Sequence, residues 1–324
     1  MPSSPQHTST AIPRVSILIA NWNGRGILPA CLRSVAEQTR TVSYEVIVVD
    51  DASTDDSVAL VQREFPWVHL VVNPKNLGFV GANNIGVHHA TGELVLLLNS
   101  DTELKEDAVG TLVAFMDAHP EAGICGPALF GADGRPQVSY GWPPSFLQAV
   151  IDAFFLNDLF PRAGFPSRGT PPNPNRTAPF PVQYVSGAAL LIRASVIEKV
   201  GLFDPLFRAY CEEVDLCRRV LTGTGLHVFF VPDAHIMHYE GKSYGQLGAG
   251  RIRIIYESYD RFMVKYHNRF YSFATRLLYA WHYAVKGIVR AALWVFASSG
   301  TRAARAGAVR HAYYNTRYSL WPYA

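Results

Sequence analysis

The segment Leu94-Val-Leu-Leu-Leu-Asn-Ser-Asp101 is an apolar run that stops abruptly in three polar residues. Five consecutive aliphatic side chains suit a strand covered on both faces, the usual state of a parallel sheet flanked by helices. In such sheets ligands bind outside the carboxyl ends of the strands. Residues two apart on a strand point the same way, so Asn99 and Asp101 can aim their oxygens at one hard cation such as Mg²⁺ or Mn²⁺. The same residues also suit a strand-to-helix turn, with Asp101 or Thr102 capping a helix near Leu104.

The preceding residues repeat the pattern. Val15-Ser-Ile-Leu-Ile-Ala predicts a strand that ends in the turn Asn21-Trp-Asn-Gly24, and a helix follows with Ile27, Leu28, Cys31, Leu32 and Val35 on one face. Tyr44 to Asp50 predicts a second strand, ending in Asp50 and Asp51, then a capped helix from Val58 to Phe65. Val68 to Val72 predicts a third strand, with a loop over Asn73 to Gly78 and a helix from Val80 to Ala90. After the fourth strand, Asp107 to His119 predicts another helix. Strands alternating with helices of this length imply an α/β fold with a mostly parallel sheet and right-handed crossovers. Three strands end in polar clusters, Asn21/Asn23, Asp50/Asp51 and Asn99/Asp101. A nucleotide in the crevice along that edge accounts for all three, which turn chemistry does not require. No Gly-x-Gly-x-x-Gly follows the first strand, and there is no Gly-x-x-x-x-Gly-Lys-Ser/Thr loop, so neither a dinucleotide fold nor a P-loop is indicated.

Composition narrows the class further. The chain has 324 residues, 49% of them hydrophobic and 17% charged, enough for one large α/β domain with appendages. Its four cysteines, Cys31, Cys125, Cys211 and Cys217, have no paired spacing and read as buried thiols of a reducing compartment. Residues 1–13 are rich in Ser, Thr and Pro without the apolar core of a signal peptide, so they read as a disordered leader on a cytoplasmic chain. From Arg251 onward there are twelve Lys/Arg against two acids, Glu257 and Asp260, whereas the preceding part carries more acids than bases. A basic tail on an acidic body points to an anionic partner for the tail.

The motifs, taken in order, resemble the family 2 glycosyltransferases, inverting enzymes with the nucleotide-binding fold called GT-A. The resemblance rests on Val15 to Gly24, Val48-Val-Asp-Asp-Ala-Ser-Thr-Asp55, Asn76-Leu-Gly-Phe with Asn83-Asn-Ile-Gly86, and Leu97-Leu-Asn-Ser-Asp101. It continues through Ser186-Gly-Ala-Ala-Leu-Leu-Ile-Arg193, Gly201-Leu-Phe-Asp204, Tyr210-Cys-Glu-Glu-Val-Asp215 and His238-Tyr-Glu-Gly-Lys-Ser243. It covers roughly residues 14–245, with a nucleotide-binding half over 14–125 and an acceptor half over 126–245, and it is most similar to bacterial rhamnosyltransferase-like members that build cell-surface polysaccharides.

The resemblance implies roles for particular residues. Asn99-Ser-Asp101 falls where the family has its Asp-x-Asp metal motif, with Asn99 in place of the first aspartate, so Asp101 is the main anionic ligand for Mg²⁺ or Mn²⁺. His238 falls where family members place a metal-binding histidine, and Gly241-Lys-Ser243 resembles a phosphate-contacting loop. Asn21, Asn23, Asp50, Asp51, Lys75, Asn76, Asn83 and Asn99 fall on the nucleotide side, with one of Asp50 and Asp51 facing the base. The acidic box Glu212-Glu213-Val-Asp215 falls where the family shows Glu-Asp-x-Asp, so Glu213, one methylene longer, takes the place of the general base. Glu212 is the alternative base, and Asp215 orients the helix or the base. As plain structure, the same acids suit the first turn of a helix running to Leu221.

The Pro- and Gly-rich stretch from Phe130 to Pro181, interrupted by the apolar run Phe146 to Phe160, reads as the acceptor side. In the basic tail, 246–324, Leu277 to Ala297 is apolar over a bilayer-crossing length but contains Lys286 and Arg290. On a helical wheel Arg276, His282, Lys286 and Arg290 share one arc of about 120°, the pattern of a helix lying in a membrane interface. The combined expectation is an inverting transfer of a sugar, rhamnose by resemblance, from a nucleoside-diphosphate sugar to a hydroxyl of a lipid-linked glycan. The enzyme would be peripheral on the inner face of the cell membrane, through residues 270–297, with no nucleic-acid partner. Two rivals are a nucleotidyltransferase that makes the sugar nucleotide, which wants a basic glycine-rich loop where Asn21-Trp-Asn-Gly24 stands, and a non-catalytic sugar-nucleotide or glycan-binding module.

Overall fold

The computed structural model describes residues 12–160, 162, 163, 165, 177–239, 249–295 and 299–322. Its strands are β1 (Val15–Asn21), β2 (Tyr44–Asp50), β3 (His69–Val72), β4 (Leu94–Leu98), β5 (Thr102–Leu104) and β6 (Ala122–Phe130). They continue as β7 (Tyr140–Gly141), β8 (Phe180–Val182), β9 (Tyr184–Val185), β10 (Ala189–Arg193) and β11 (His227–His238). Contacts divide the described chain into two compact units, and the segment from Pro143, which by sequence lies in the acceptor half, clusters with the C-terminal helices.

The first unit is built on a nine-stranded sheet of order β3-β2-β1-β4-β10-β6-β11-β5, with β8 on β11. β3, β2, β1 and β4 are parallel throughout, whereas β10 runs antiparallel between β4 and β6. Strand order reverses at β1, between β2 on one side and β4 on the other, which opens a crevice at their carboxyl ends. Alternation across the sheet produces two cores. Ile17, Ile19, Val46, Val48, Leu94 and Leu96 face the helices Leu28–Gln38 and Ala108–Ala118. Leu18, Ile47, Val49, Val95 and Leu97 face the opposite layer, which includes Val80 of the helix Gly78–Gly86 and Leu216 of the helix Glu212–Gly223. All five β4 side chains are buried, each contributing roughly 2 kcal/mol of transfer free energy, so the strand that carries Asn99 and Asp101 is held firmly. Gly86 lets its helix lie close on the sheet, since a Cβ there would stand 2.2 Å from Leu18 Cδ1.

The predicted helices form within one or two residues of their expected starts. Residues 102–104 do not begin a helix. They form β5, antiparallel to the end of β11, and the next helix starts at Ala108 with Asp107 as its cap. The expected phosphate loop Gly241-Lys-Ser243 and the leader up to residue 11 lie outside the described residues.

The second unit packs the helix Phe146–Ala153 and the long helices Ala249–Tyr266, Arg269–Val295 and Ser299–Leu320 around Ala149, Tyr256 and Tyr279. No helix among the described residues is long and apolar enough to cross a membrane.

Candidate active site

Asp101 follows β4 and is buried, and the β5–β11 pairing sets His238 directly opposite Thr102. His238 Nε2 thereby lies 3.5 Å from Asp101 Oδ1. Gln137 fixes the ring. Its Nε2 donates to the His238 carbonyl at 3.0 Å, so its Oε1 must be the atom 2.9 Å from Nδ1 and accepts the Nδ1–H. With Nδ1–H donated to Gln137, Nε2 is the ring nitrogen that faces the Asp101 carboxylate, the geometry of an imidazole and a carboxylate able to share one cation. The backbone N–H of Asn99 donates to the Ala188 carbonyl at 2.9 Å, tying this edge to the Ser186-Gly-Ala-Ala segment. Among the described residues no three His, Cys, Asp or Glu side chains are grouped as metal ligands, so a cation on Asp101 and His238 needs other donors, such as Asn99 or a phosphate.

Glu212 and Glu213 open the helix Glu212–Gly223, whose first turn favours anions. Tyr210 and Cys211, just before it, both have left-handed backbone, φ 64° and 68°. Two such non-glycine residues in succession are costly and are found where a site over-determines the chain. Glu213 lies against Gly187, where a Cβ would be 3.7 Å from the carboxyl carbon. Glu212 is buried and its Oε2 has no hydrogen bond among the described residues. Burial first, and then the charge of Glu213, hold the Glu212 carboxyl well above the usual range. It therefore carries a proton under conditions where an ordinary carboxylate does not. The folded chain thus binds a proton that the unfolded chain releases, and stability declines as pH rises from the ordinary carboxylate value of 4.5 toward the raised folded one. Glu212→Gln is expected to remove that part of the decline and to leave the protein at least as stable at neutral pH, as thermal melts against pH will read. Asp215 is buried and accepts from Arg219 Nε at 2.7 Å, and Arg219 also donates to the carbonyls of Val200, Gly201 and Leu202. Its work is to hold this helix on the Gly201-Leu-Phe-Asp204 turn, where Gly201 has φ 74°.

On the nucleotide side Asn21 donates to Asp50 at 2.8 Å, while Ser53 donates to both Asp50 oxygens. Asn21 Oδ1 is buried without a hydrogen bond, and a Cβ on Gly24 would stand 2.0 Å from it. Asn23 accepts from the backbone of Thr54 and Asp55. Asp51 accepts from Asn73 and from the N–H groups of Leu77 and Gly78, so both of its oxygens hold the loop that carries Lys75 and Asn76 at the surface. Asn83 is buried and donates to the Phe79 carbonyl of its own helix. A pocket of about 290 Å³ opens beside Asp101, lined by Gly26, Ile27, Ala30, Thr102, Glu103 and Tyr239. Gln137 and Glu103 were not singled out by sequence, since neither sits in a periodic or motif-like context, and Tyr239, inside the His238–Ser243 segment, was given no role. Cys31, Cys125, Cys211 and Cys217 are buried and form no disulfide among the described residues, and burial pushes the Cys31 thiol up to about 12.

A switch-point crevice edged by Asn21, Asp50, Asn99 and Asp101 defines an α/β nucleotide-binding fold of the GT-A type. The chain belongs to glycosyl transferase family 2, whose model matches residues 16–201. It is 28% identical over 237 residues to the N-acetylglucosaminyl-diphospho-decaprenol L-rhamnosyltransferase of Mycobacterium tuberculosis, covering 69% of this chain and 75% of that protein. Among solved structures, the mannosyltransferase PcManGT from Pyrobaculum calidifontis, in complex with GDP-Man and Mn²⁺, matches with a TM-score of 0.55 at 18% identity. That match covers 97% of this chain and 84% of the other. GalNAc-T7 with UDP, GalNAc and Mn²⁺ matches with a TM-score of 0.53 at 16% identity, over 79% of this chain and 50% of its own. At such identities these two structures establish the fold. The chain is a glycosyltransferase.

Proposed function

We propose that the chain transfers rhamnose from a nucleoside diphosphate to a hydroxyl of a lipid-linked glycan, inverting the anomeric carbon, at the cytoplasmic face of the membrane. The similarity to a rhamnosyltransferase that acts on a diphospho-decaprenol-linked sugar supports the sugar and the acceptor class. The observation that carries the chemistry is one edge holding both the Asp101–His238 pair and, across Gly187 and Ala188, the Glu213 carboxylate.

The residues divide the work. Glu213 takes the proton from the acceptor hydroxyl, and the hydroxyl oxygen attacks the anomeric carbon as the sugar–phosphate bond breaks. Base and leaving group stand on opposite faces of the sugar in such an in-line displacement, which inverts the centre. Glu212 is buried, and burial with the charge of Glu213 raises its carboxyl above the usual range, whereas Glu213 packs against Gly187; this geometry supports Glu213 as the base. Asp101, His238 Nε2 and the Asn99 side-chain oxygen would hold Mg²⁺ or Mn²⁺. The bound metal neutralises charge that builds on the leaving diphosphate. Asn21 Oδ1 and the Lys75–Asn76 loop meet the nucleotide, while Asn23, Asp50, Asp51 and Asn83 shape the turns that receive it. Residues 14–245, apart from the segment from Pro143 that clusters with the C-terminal helices, make up the transferase, and 246–324 the membrane-associating tail.

Gln137 sets the tautomer of His238. Gln137→Leu is expected to weaken Mn²⁺ binding about tenfold, read by the free-ion electron paramagnetic resonance signal, because lost outer partners of a ligating imidazole commonly cost that much. An unchanged affinity would count against His238 as a ligand. The overall reading is tested by nuclear magnetic resonance of the glycan product made from a donor of known anomeric configuration. An inverted linkage is expected, and a retained one contradicts the mechanism.

A further inference from the structure

The long helix Arg269–Val295 turns Arg276, His282, Lys286 and Arg290 toward its own unit and an apolar face to solvent. Arg276 donates to the carbonyls of Ser319 and Leu320 and lies 3.6 Å from Asp260. His282 donates to the Asp152 carbonyl and stacks on Phe155, and Lys286 sits 5.8 Å above the same ring. Arg290 donates to the Ala308 carbonyl at 3.2 Å. The arc that by sequence was to face lipid headgroups is thus engaged within the second unit. On the opposite side Phe270, Phe273, Leu277, Trp281 and Ile288 are 73%, 54%, 46%, 59% and 71% exposed. At about 100° per residue these five fall within one arc of about 80°. From Phe270 to Ile288 the stripe runs about 27 Å at the helical rise. Soluble proteins seldom leave so long an apolar surface open without a partner.

Charge identifies the partner. Beyond Asp260 the chain carries ten Lys/Arg and not one Asp or Glu. Lys265 and Arg269, just before the stripe, are exposed, as are Arg310 and Arg317 of the last helix. We infer that the stripe Phe270/Phe273/Leu277/Trp281/Ile288 seats the chain on an anionic lipid bilayer. The helix lies along the surface with these side chains in the headgroup–acyl boundary. This deepens the membrane reading above and relies on it only for the acceptor, since lipid binding itself needs neither donor nor acceptor. The attachment is apolar at heart, with exposed cations drawing the chain to the surface, so it differs from one held by Arg276, Lys286 and Arg290.

The test uses the full chain and phosphatidylcholine–phosphatidylglycerol vesicles in a flotation gradient. The protein is expected to float with the vesicles and to stay largely bound at about 1 M salt, where screening has cut the Debye length to about 3 Å. Leu277→Ser with Trp281→Ser is expected to lower the partition coefficient at least about tenfold, as two large side chains leave the boundary. Quenching of tryptophan fluorescence by brominated lipid in the wild type, and its reduction in Trp281→Phe, gives the same answer without the double variant. Failure to float, complete release by salt, an undiminished double variant, or a dimer that shields the stripe would each overturn the proposal. Flotation without sugar transfer would refute the enzymatic reading alone, and transfer to a soluble acceptor without flotation would refute this surface alone.

Discussion

Glu213→Gln is expected to lower kcat by about 10²–10⁴ while leaving donor affinity near that of the parent, because the amide keeps size and hydrogen bonding but cannot take a proton. Glu213 lies in the first turn of the helix Glu212–Gly223 and packs against Gly187, where a Cβ would stand 3.7 Å from its carboxyl carbon. Its neighbour provides the internal control. Glu212 is buried and its carboxyl is raised by burial and by the charge of Glu213, and Glu212→Gln is expected to retain most of the turnover. Single-turnover kinetics on both variants, with donor affinity from calorimetry, separates them. Loss in Glu212→Gln with activity kept in Glu213→Gln would move the base by one residue.

Asp101→Ala is expected to abolish detectable turnover and to remove Mn²⁺ binding together. Asp101 is the anionic member of its pair with His238, and it stands at the end of a strand whose five side chains are all buried. The alanine therefore takes away the charge without loosening the strand. Asn99 brings an oxygen but no charge, so Asn99→Asp is expected to preserve metal use or tighten it. Chelator should stop the parent enzyme, and Mn²⁺ or Mg²⁺ should restore it. Full activity in excess chelator would contradict the metal assignment.

The parallel half of the sheet was legible because β1, β2 and β4 are unbroken aliphatic runs that end in polar residues, and burial on both faces demands that pattern. The pairing that brings His238 to Asp101 was not. Pro232 and Asp233 look like the end of a strand, but β11 carries them through an irregularity between Val231 and His235 and resumes pairing. Three residues of β5 are too short a run to show a period, so residues 102–104 resembled a helix cap. Asp51 read as a group facing a ligand, whereas its oxygens accept from Leu77 and Gly78, long-range bonds that no local pattern encodes. Gln137 sits in a stretch rich in Gly and Pro where no periodicity points to a partner. In the tail, periodicity identified one charged arc on the helix Arg269–Val295. That this arc turns inward depended on the backbone carbonyls of the last helix and of Asp152.

The most direct test is release of nucleoside diphosphate by the purified full chain from a panel of UDP-, dTDP- and GDP-sugars, with a lipid-diphosphate-linked sugar and Mn²⁺ present. Diphosphate is expected to appear from one donor, a rhamnose nucleotide foremost, only when acceptor is added, and not with Asp101→Ala. Sugar-nucleotide formation from a sugar phosphate and a nucleoside triphosphate, with no acceptor-dependent diphosphate release from any donor, would contradict the account.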